Sequence, residues 1–121
     1  MSRRVYRFDE IDWHLPGGAG ADPAAVEAAA ALGVGRKHYA QGDAGFFVQV
    51  VRFPANFETP PHSHDHSEVF VVLDGSCIFD GQPMHQYDST VVEANDPYGF
   101  TTGPDGLTLL VLRTGDAAVQ L

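Results

Sequence analysis

Positive charge is scarce in this sequence. Seven Lys and Arg face sixteen Asp and Glu, a formal net charge of −9, and three of the seven (Arg3, Arg4, Arg7) fall in the first seven residues. From residue 8 onward only Arg36, Lys37, Arg52 and Arg113 stand against all the acids. A surface this acidic repels phosphate backbones, so nucleic acid is not an expected partner. Cysteine is nearly absent as well. Cys77 alone cannot form an intramolecular disulfide, which favours a reducing, cytoplasmic setting. It sits in the apolar stretch Ser76-Cys77-Ile78-Phe79 and reads as packed core. No apolar run reaches the ~18 residues of a membrane span, and the first twenty residues lack the apolar centre of a signal peptide. Also missing are a Gly-x-Ser-x-Gly elbow, a phosphate-binding glycine loop, a dinucleotide fingerprint and a Cys-x-x-Cys pair. Their absence removes the common hydrolase, nucleotide and thiol-redox readings.

What is present suits one domain. The chain has 121 residues, 44% of them hydrophobic, enough to bury a core. Residues 1–44 read as an N-terminal extension packing on a β-domain of residues 45–121. The extension opens with a strand-like Val5-Tyr6-Arg7-Phe8. It continues into a short helix, with Asp22 as N-cap, Pro23 at the first helical position, an alanine-rich body to Leu32, and Gly33 as the stop. Beyond residue 44, β segments separated by turn residues are predicted at 46–53, 68–73, 76–79, 89–92, 99–102 and 107–112. Asp74-Gly75 and Gly103-Pro104-Asp105-Gly106 are read as turns, and Asp80-Gly81 as a two-residue hairpin. Strands at this spacing, with no βαβ alternation, predict an all-β antiparallel sandwich or barrel.

The informative stretch runs from Pro60 to Gly75. It holds His62, His64 and His66 within five residues, with Glu68 opening the apolar strand Val69-Phe70-Val71-Val72-Leu73. Alternation along a strand puts His62 and His64 on one face. A turn at Asp65-His66-Ser67 would bring Glu68 back to the same side. Two imidazoles and a carboxylate make a facial ligand set with open positions. The competing reading is a polar loop of surface histidines. Against it, an inward carboxylate at the head of an apolar strand needs a partner.

His-x-His-x-x-x-Glu followed by six residues and a Gly (His62, His64, Glu68, Gly75) resembles the first motif of the cupins. The resemblance covers about residues 45–113. In the second motif Asp88, the strand that follows it and Gly99-Phe100 fit. Tyr87 replaces the usual Gly, Glu93 the usual Pro, and Tyr98 stands where the last metal-binding histidine belongs. The resemblance implies a double-stranded β-helix, or jelly roll, usually dimeric, with a metal inside the barrel. It implies one divalent ion, Fe(II) favoured over Mn, Zn, Ni, Co or Cu. That ion would be held by His62, His64 and Glu68; His66, which lies in the same loop, or water would complete the shell, the other reading of His66 being a solvent-facing turn residue. Tyr98 would donate a proton or hydrogen bond to a bound oxygen; the competing readings are direct ligation as phenolate, or filling of the vacated space with a weak site or none. The expected activity is metal-dependent and acts on a small organic molecule, dioxygenase-like or of isomerase and cyclase type. The alternative is a non-catalytic ligand-binding or sensor module, and a weaker rival is a metal-free acid/base isomerase using Tyr98 with His64 or His66.

Parity with Glu68 turns Phe70 and Val72 inward. On the preceding strand either Phe47, Gln49 and Val51 or Val48, Val50 and Arg52 face the interior; if the latter, Arg52 could clamp a carboxylate or carbonyl oxygen. Phe57, Phe79, Met84 and Phe100 are candidate pocket walls. Asp65 could serve as a partner to His64, His85 reads as a structural or surface residue, and His14 and His38 carry no functional expectation.

Overall fold

The computed structural model describes residues 3–17, 21–115 and 119–120. One α-helix, α1 (Pro23–Ala31), is followed by eight strands among the described residues. They are β1 (Gly35–Gln41), β2 (Phe47–Phe53), β3 (Glu58–His64), β4 (Glu68–Phe79), β5 (Gln82–Met84), β6 (Ser89–Val92), β7 (Tyr98–Arg113) and β8 (Val119–Gln120). All their pairings are antiparallel. No helix is long and apolar enough to cross a membrane among these residues.

The long strand β7 is the axis of the jelly roll. One edge pairs with β4 from Glu68↔Arg113 to Phe79↔Phe100. The other edge takes β2 along residues 107–113 and β3 at the opposite end. The turns expected at Asp74-Gly75 and at residues 103–106 are not breaks. Both strands run through them, with register shifts between Val72 and Asp74 and between Gly75 and Cys77. Gly75 and Gly106 both have φ of +78°, which lets the ladder bulge and bend without losing its pairing. The Asp80-Gly81 hairpin forms as expected, with φ of 46° and 81° and Phe79 paired with Gln82, the geometry of a type I′ turn.

Tyr87, in the position the resemblance gives to glycine, has φ of 71° and is exposed. Tyr87→Gly removes that left-handed strain and is expected to raise the unfolding free energy by about 0.5 kcal/mol, the net of strain relief and added chain entropy. Urea denaturation with an unchanged m-value measures it.

The strand expected at residues 5–8 is absent: Phe8–Glu10 form a 3₁₀ turn. The segment is held by cations on rings instead. Buried Lys37 places Nζ 3.8 Å from the centre of Phe8 and 4.9 Å from that of Trp13, and donates to the Phe8 carbonyl at 2.8 Å. Arg52 lies 3.9 Å over the other ring neighbour, Trp13. Arg52 is thus engaged outside the barrel, and Gln49 and Val51 take the inner face. Helix α1 starts at Pro23 as expected, but Asp22 makes no side-chain cap.

The core is Phe70, Val72 and Cys77 of β4 with Leu107, Leu109 and Val111 of β7, joined by Phe79, Met84, Val92, Tyr98 and Phe100. Cys77 is a core residue, its thiol pushed up by burial.

Candidate functional site

The two ends of β7 face one cavity of about 400 Å³. Tyr98, the first residue of the strand, is the register partner of His62. Arg113, the last, is the register partner of Glu68. Residues fifteen positions apart in sequence thus line the same interior. His62, His64, Tyr98 and Arg113 line one end of the cavity, and Gln49, Val51, Phe53, Phe70, Leu109 and Val111 supply much of the wall. Helix α1 closes the outer side with Ala25, Val26 and Ala29, residues spaced to share one helix face.

Glu68 organises the polar end. Only 2% of it is exposed, and both carboxylate oxygens are engaged. Arg113 Nε donates to Oε1 at 2.5 Å, and the Tyr98 hydroxyl donates to Oε2 at 3.2 Å. His64 Nε2 lies 3.6 Å from Oε1. Burial pushes the Glu68 carboxyl above the ordinary range, and Arg113 pulls it part of the way back. Burial, and next the adjacent Glu68 charge, hold the Tyr98 phenol well above its ordinary range. Tyr98 therefore stays protonated and is a donor, not a base.

His62 is oriented by its own strand. Its Nδ1 lies 2.9 Å from the Pro60 carbonyl oxygen. A carbonyl only accepts, so Nδ1 carries the proton and the neutral ring has its lone pair at Nε2. The rings of His62 and His64 are 5.1 Å apart, and that of Tyr98 is 4.6 Å from His62.

The structure therefore gathers His62, His64, Glu68 and Tyr98, and leaves His66 apart. The His66 ring packs on Gly115, where a Cβ would come within 2.7 Å of its Nδ1, and faces Thr114 Oγ1 at 3.4 Å. His85 is an exposed turn residue whose N–H donates to Asp88. Of the expected walls, Phe57 and Phe100 line the cavity, while Phe79 and Met84 line a separate groove. Arg113 was not foreseen. Its signal was its parity: two and four residues past the inward Val111 and Leu109, it had to point the same way.

Two imidazoles and a carboxylate are donors that suit a divalent ion, but with Glu68 paired to Arg113 they do not fit one. Among the described residues no group of three or more His, Cys, Asp or Glu is set out to hold a metal. The carboxylate that would anchor it is already neutralised by a guanidinium.

No protein-family model matches the chain, and no curated protein is similar to it in sequence. Solved structures are similar in fold. An RmlC-like cupin from Shewanella frigidimarina is 20% identical, with a TM-score of 0.70 over 93% of this chain and 90% of that one. The polyketide cyclase RemF from Streptomyces resistomycificus is 21% identical, with a TM-score of 0.70 over 99% of this chain and 84% of that one. Salicylate 1,2-dioxygenase from Pseudoaminobacter salicylatoxidans is 18% identical, with a TM-score of 0.59 over 68% of this chain but 25% of that one. These likenesses establish the fold: the chain has the cupin-type β-barrel fold.

Proposed function

We propose that this cupin barrel binds a small, largely apolar carbonyl compound in its cavity and moves a proton on it, as an isomerase or cyclase does. The observation that carries the reading is the cavity itself. It is of ligand size, apolar along its walls, and its polar groups converge at one end, the usual anatomy of a small-molecule site. His62 would take the proton through Nε2, since its Nδ1 proton goes to Pro60. Arg113 uses Nε on Glu68, and the remaining N–H donors of its fork would polarise the carbonyl oxygen. Tyr98 holds the second carboxylate oxygen and keeps Glu68 oriented. A polyketide cyclase is among the proteins that share this fold over nearly the whole chain.

Proton transfer has a direct readout. In D₂O, a panel of small aryl ketones and 1,3-diketones is expected to exchange hydrogen for deuterium at the carbon beside the carbonyl, followed by NMR. His62→Gln is expected to slow exchange by about a hundredfold or more, the usual worth of a positioned general base. Thermal stabilisation by panel members without exchange would instead identify a non-catalytic binding module. The absence of both stabilisation and exchange across the panel would defeat the proposal.

The α1 wall gives a second test. Ala29→Phe adds a ring to the cavity side of α1, and an environment-sensitive apolar dye is expected to bind at least about tenfold more weakly, ~1.4 kcal/mol. The melting temperature should stay close to wild type. Unchanged dye affinity would place the binding volume elsewhere.

A second reading, dioxygenase-like and metal-dependent, is favoured by the bare Nε2 of His62 and the 3.6 Å approach of His64 to Glu68. It requires Glu68 to release Arg113.

A further inference from the structure

We infer that Arg113 is the resident cation of this site, and that it masks a latent metal centre formed by His62, His64 and Glu68. The carboxylate is almost wholly buried, and a buried carboxylate requires a positive partner. In this chain the partner is a guanidinium carried on the neighbouring strand in direct register with it. Arg113 is one of four cations beyond residue 7. The other three engage the N-terminal segment: Arg36 donates to the Leu15 carbonyl, Lys37 to that of Phe8, and Arg52 covers Trp13. Arg113 alone of the four pairs with a buried carboxylate among the described residues.

Two features keep the pair closed. Tyr98 donates to the second oxygen of Glu68, so neither oxygen is left without a hydrogen bond. Tyr98 also occupies the β7 position opposite His62, where a further imidazole would have added a ligand. A divalent ion entering between the imidazoles would meet a fixed positive charge at close range and a carboxylate already neutralised. Remove that charge and the donors that remain, two imidazoles and one carboxylate, are a metal-binding set.

This inference extends the acid–base reading of the same cavity but is tested without any organic ligand. Full-length protein, stripped with chelator and desalted, is titrated with Co(II) and followed by visible absorption and by melting temperature. Wild type is expected to show no saturable uptake. Arg113→Met is expected to take up one equivalent at least about a hundredfold more tightly than wild type, the scale of one unit charge at close range in a partly screened site. Its melting temperature should rise as cobalt is added. Combining Arg113→Met with Glu68→Gln should abolish the uptake, and Arg113→Lys, which keeps the charge, should behave as wild type. Should Arg113→Met fold poorly, Arg113→Gln retains a neutral donor for Glu68 and carries the same expectation.

One equivalent of Co(II) bound by wild type and lost in Glu68→Gln would overturn the inference. So would a folded Arg113→Met or Arg113→Gln that takes up none. Either result leaves the small-molecule cavity to be judged by dye binding and deuterium exchange.

Discussion

Arg113→Ala is expected to lower the unfolding free energy by about 3–5 kcal/mol, because it removes one partner of a buried ion pair and strands the other. For a chain of this size that is a fall in melting temperature of roughly 10–20 °C. The magnitude follows from the location of Glu68, which is 2% exposed, and from the number of alternatives left to it. After the truncation Oε1 keeps only a 3.6 Å approach from His64, and Oε2 a single hydrogen bond from Tyr98. The double variant Arg113→Met with Glu68→Gln should recover most of the loss, since a buried pair replaced on both sides is often close to neutral. Calorimetry on wild type, Arg113→Met, Glu68→Gln and their double variant forms the cycle. A melting temperature for Arg113→Ala within a few degrees of wild type would mean that something other than the guanidinium neutralises Glu68.

The sign of the pH dependence gives an independent check. The native carboxyl titrates above the ordinary glutamate value of 4.5 because burial outweighs Arg113. Between that value and the raised native one, the folded state binds more protons than the unfolded chain. Stability from this group is therefore present at the acid end of the window and is lost as pH rises through the native value. Removing Arg113 removes what pulls the native value down, so the window widens upward. The deficit of Arg113→Ala should accordingly shrink when melting is measured at about pH 5 instead of about pH 8, and the shrinkage should vanish in the double variant.

The sequence made the site's nucleus readable and its electrostatics opaque, and particular residues show why. His62, His64 and Glu68 follow from alternation and one short turn, both local rules, and the structure brings them together at the cavity end. His66 shares their loop yet packs on Gly115, a contact with a residue 49 positions later. Arg113 was the largest omission. Arg52 and Arg113 lie near the ends of adjacent paired strands, and sequence alone left the orientation of Arg52 open. The side toward which each strand turns its odd residues settles it: Arg113 shares the inward parity of Leu109 and Val111, while Arg52 covers Trp13. Strand β3 was hard to see because it contains Pro60-Pro61, which breaks the usual strand signature. The sequence divides β4 and β7 into shorter pieces because glycine marks both a turn and a bulge.

That ambiguity at Gly75 yields the second large effect. Gly75→Ala is expected to destabilise the fold by about 3 kcal/mol or more, combining left-handed backbone strain of roughly 1–2 kcal/mol with overpacking of roughly 1–3 kcal/mol. A Cβ at Gly75 would overlap the Gly106 carbonyl oxygen and come within 2.8 Å of the Gly106 carbonyl carbon and 3.1 Å of Leu107 Cα. All are backbone atoms of the central strand, which cannot swing aside as a side chain can. Gly106 has no room to retreat, because its own Cβ position lies 2.8 Å from the Phe53 carbonyl oxygen. Gly81→Ala is the matched control. Its φ of 81° carries the same strain, but nothing lies within 4 Å of its Cβ position, so only about 1 kcal/mol should be lost. Equal losses in the two variants would mean that the backbones of the paired strands β4 and β7 do not approach closely at Gly75 and Gly106. Because Gly75 lies at the irregular register of the two strands that carry Glu68 and Arg113, Gly75→Ala should also reduce the binding of the apolar dye in whatever fraction remains folded, and Gly81→Ala should leave it unchanged.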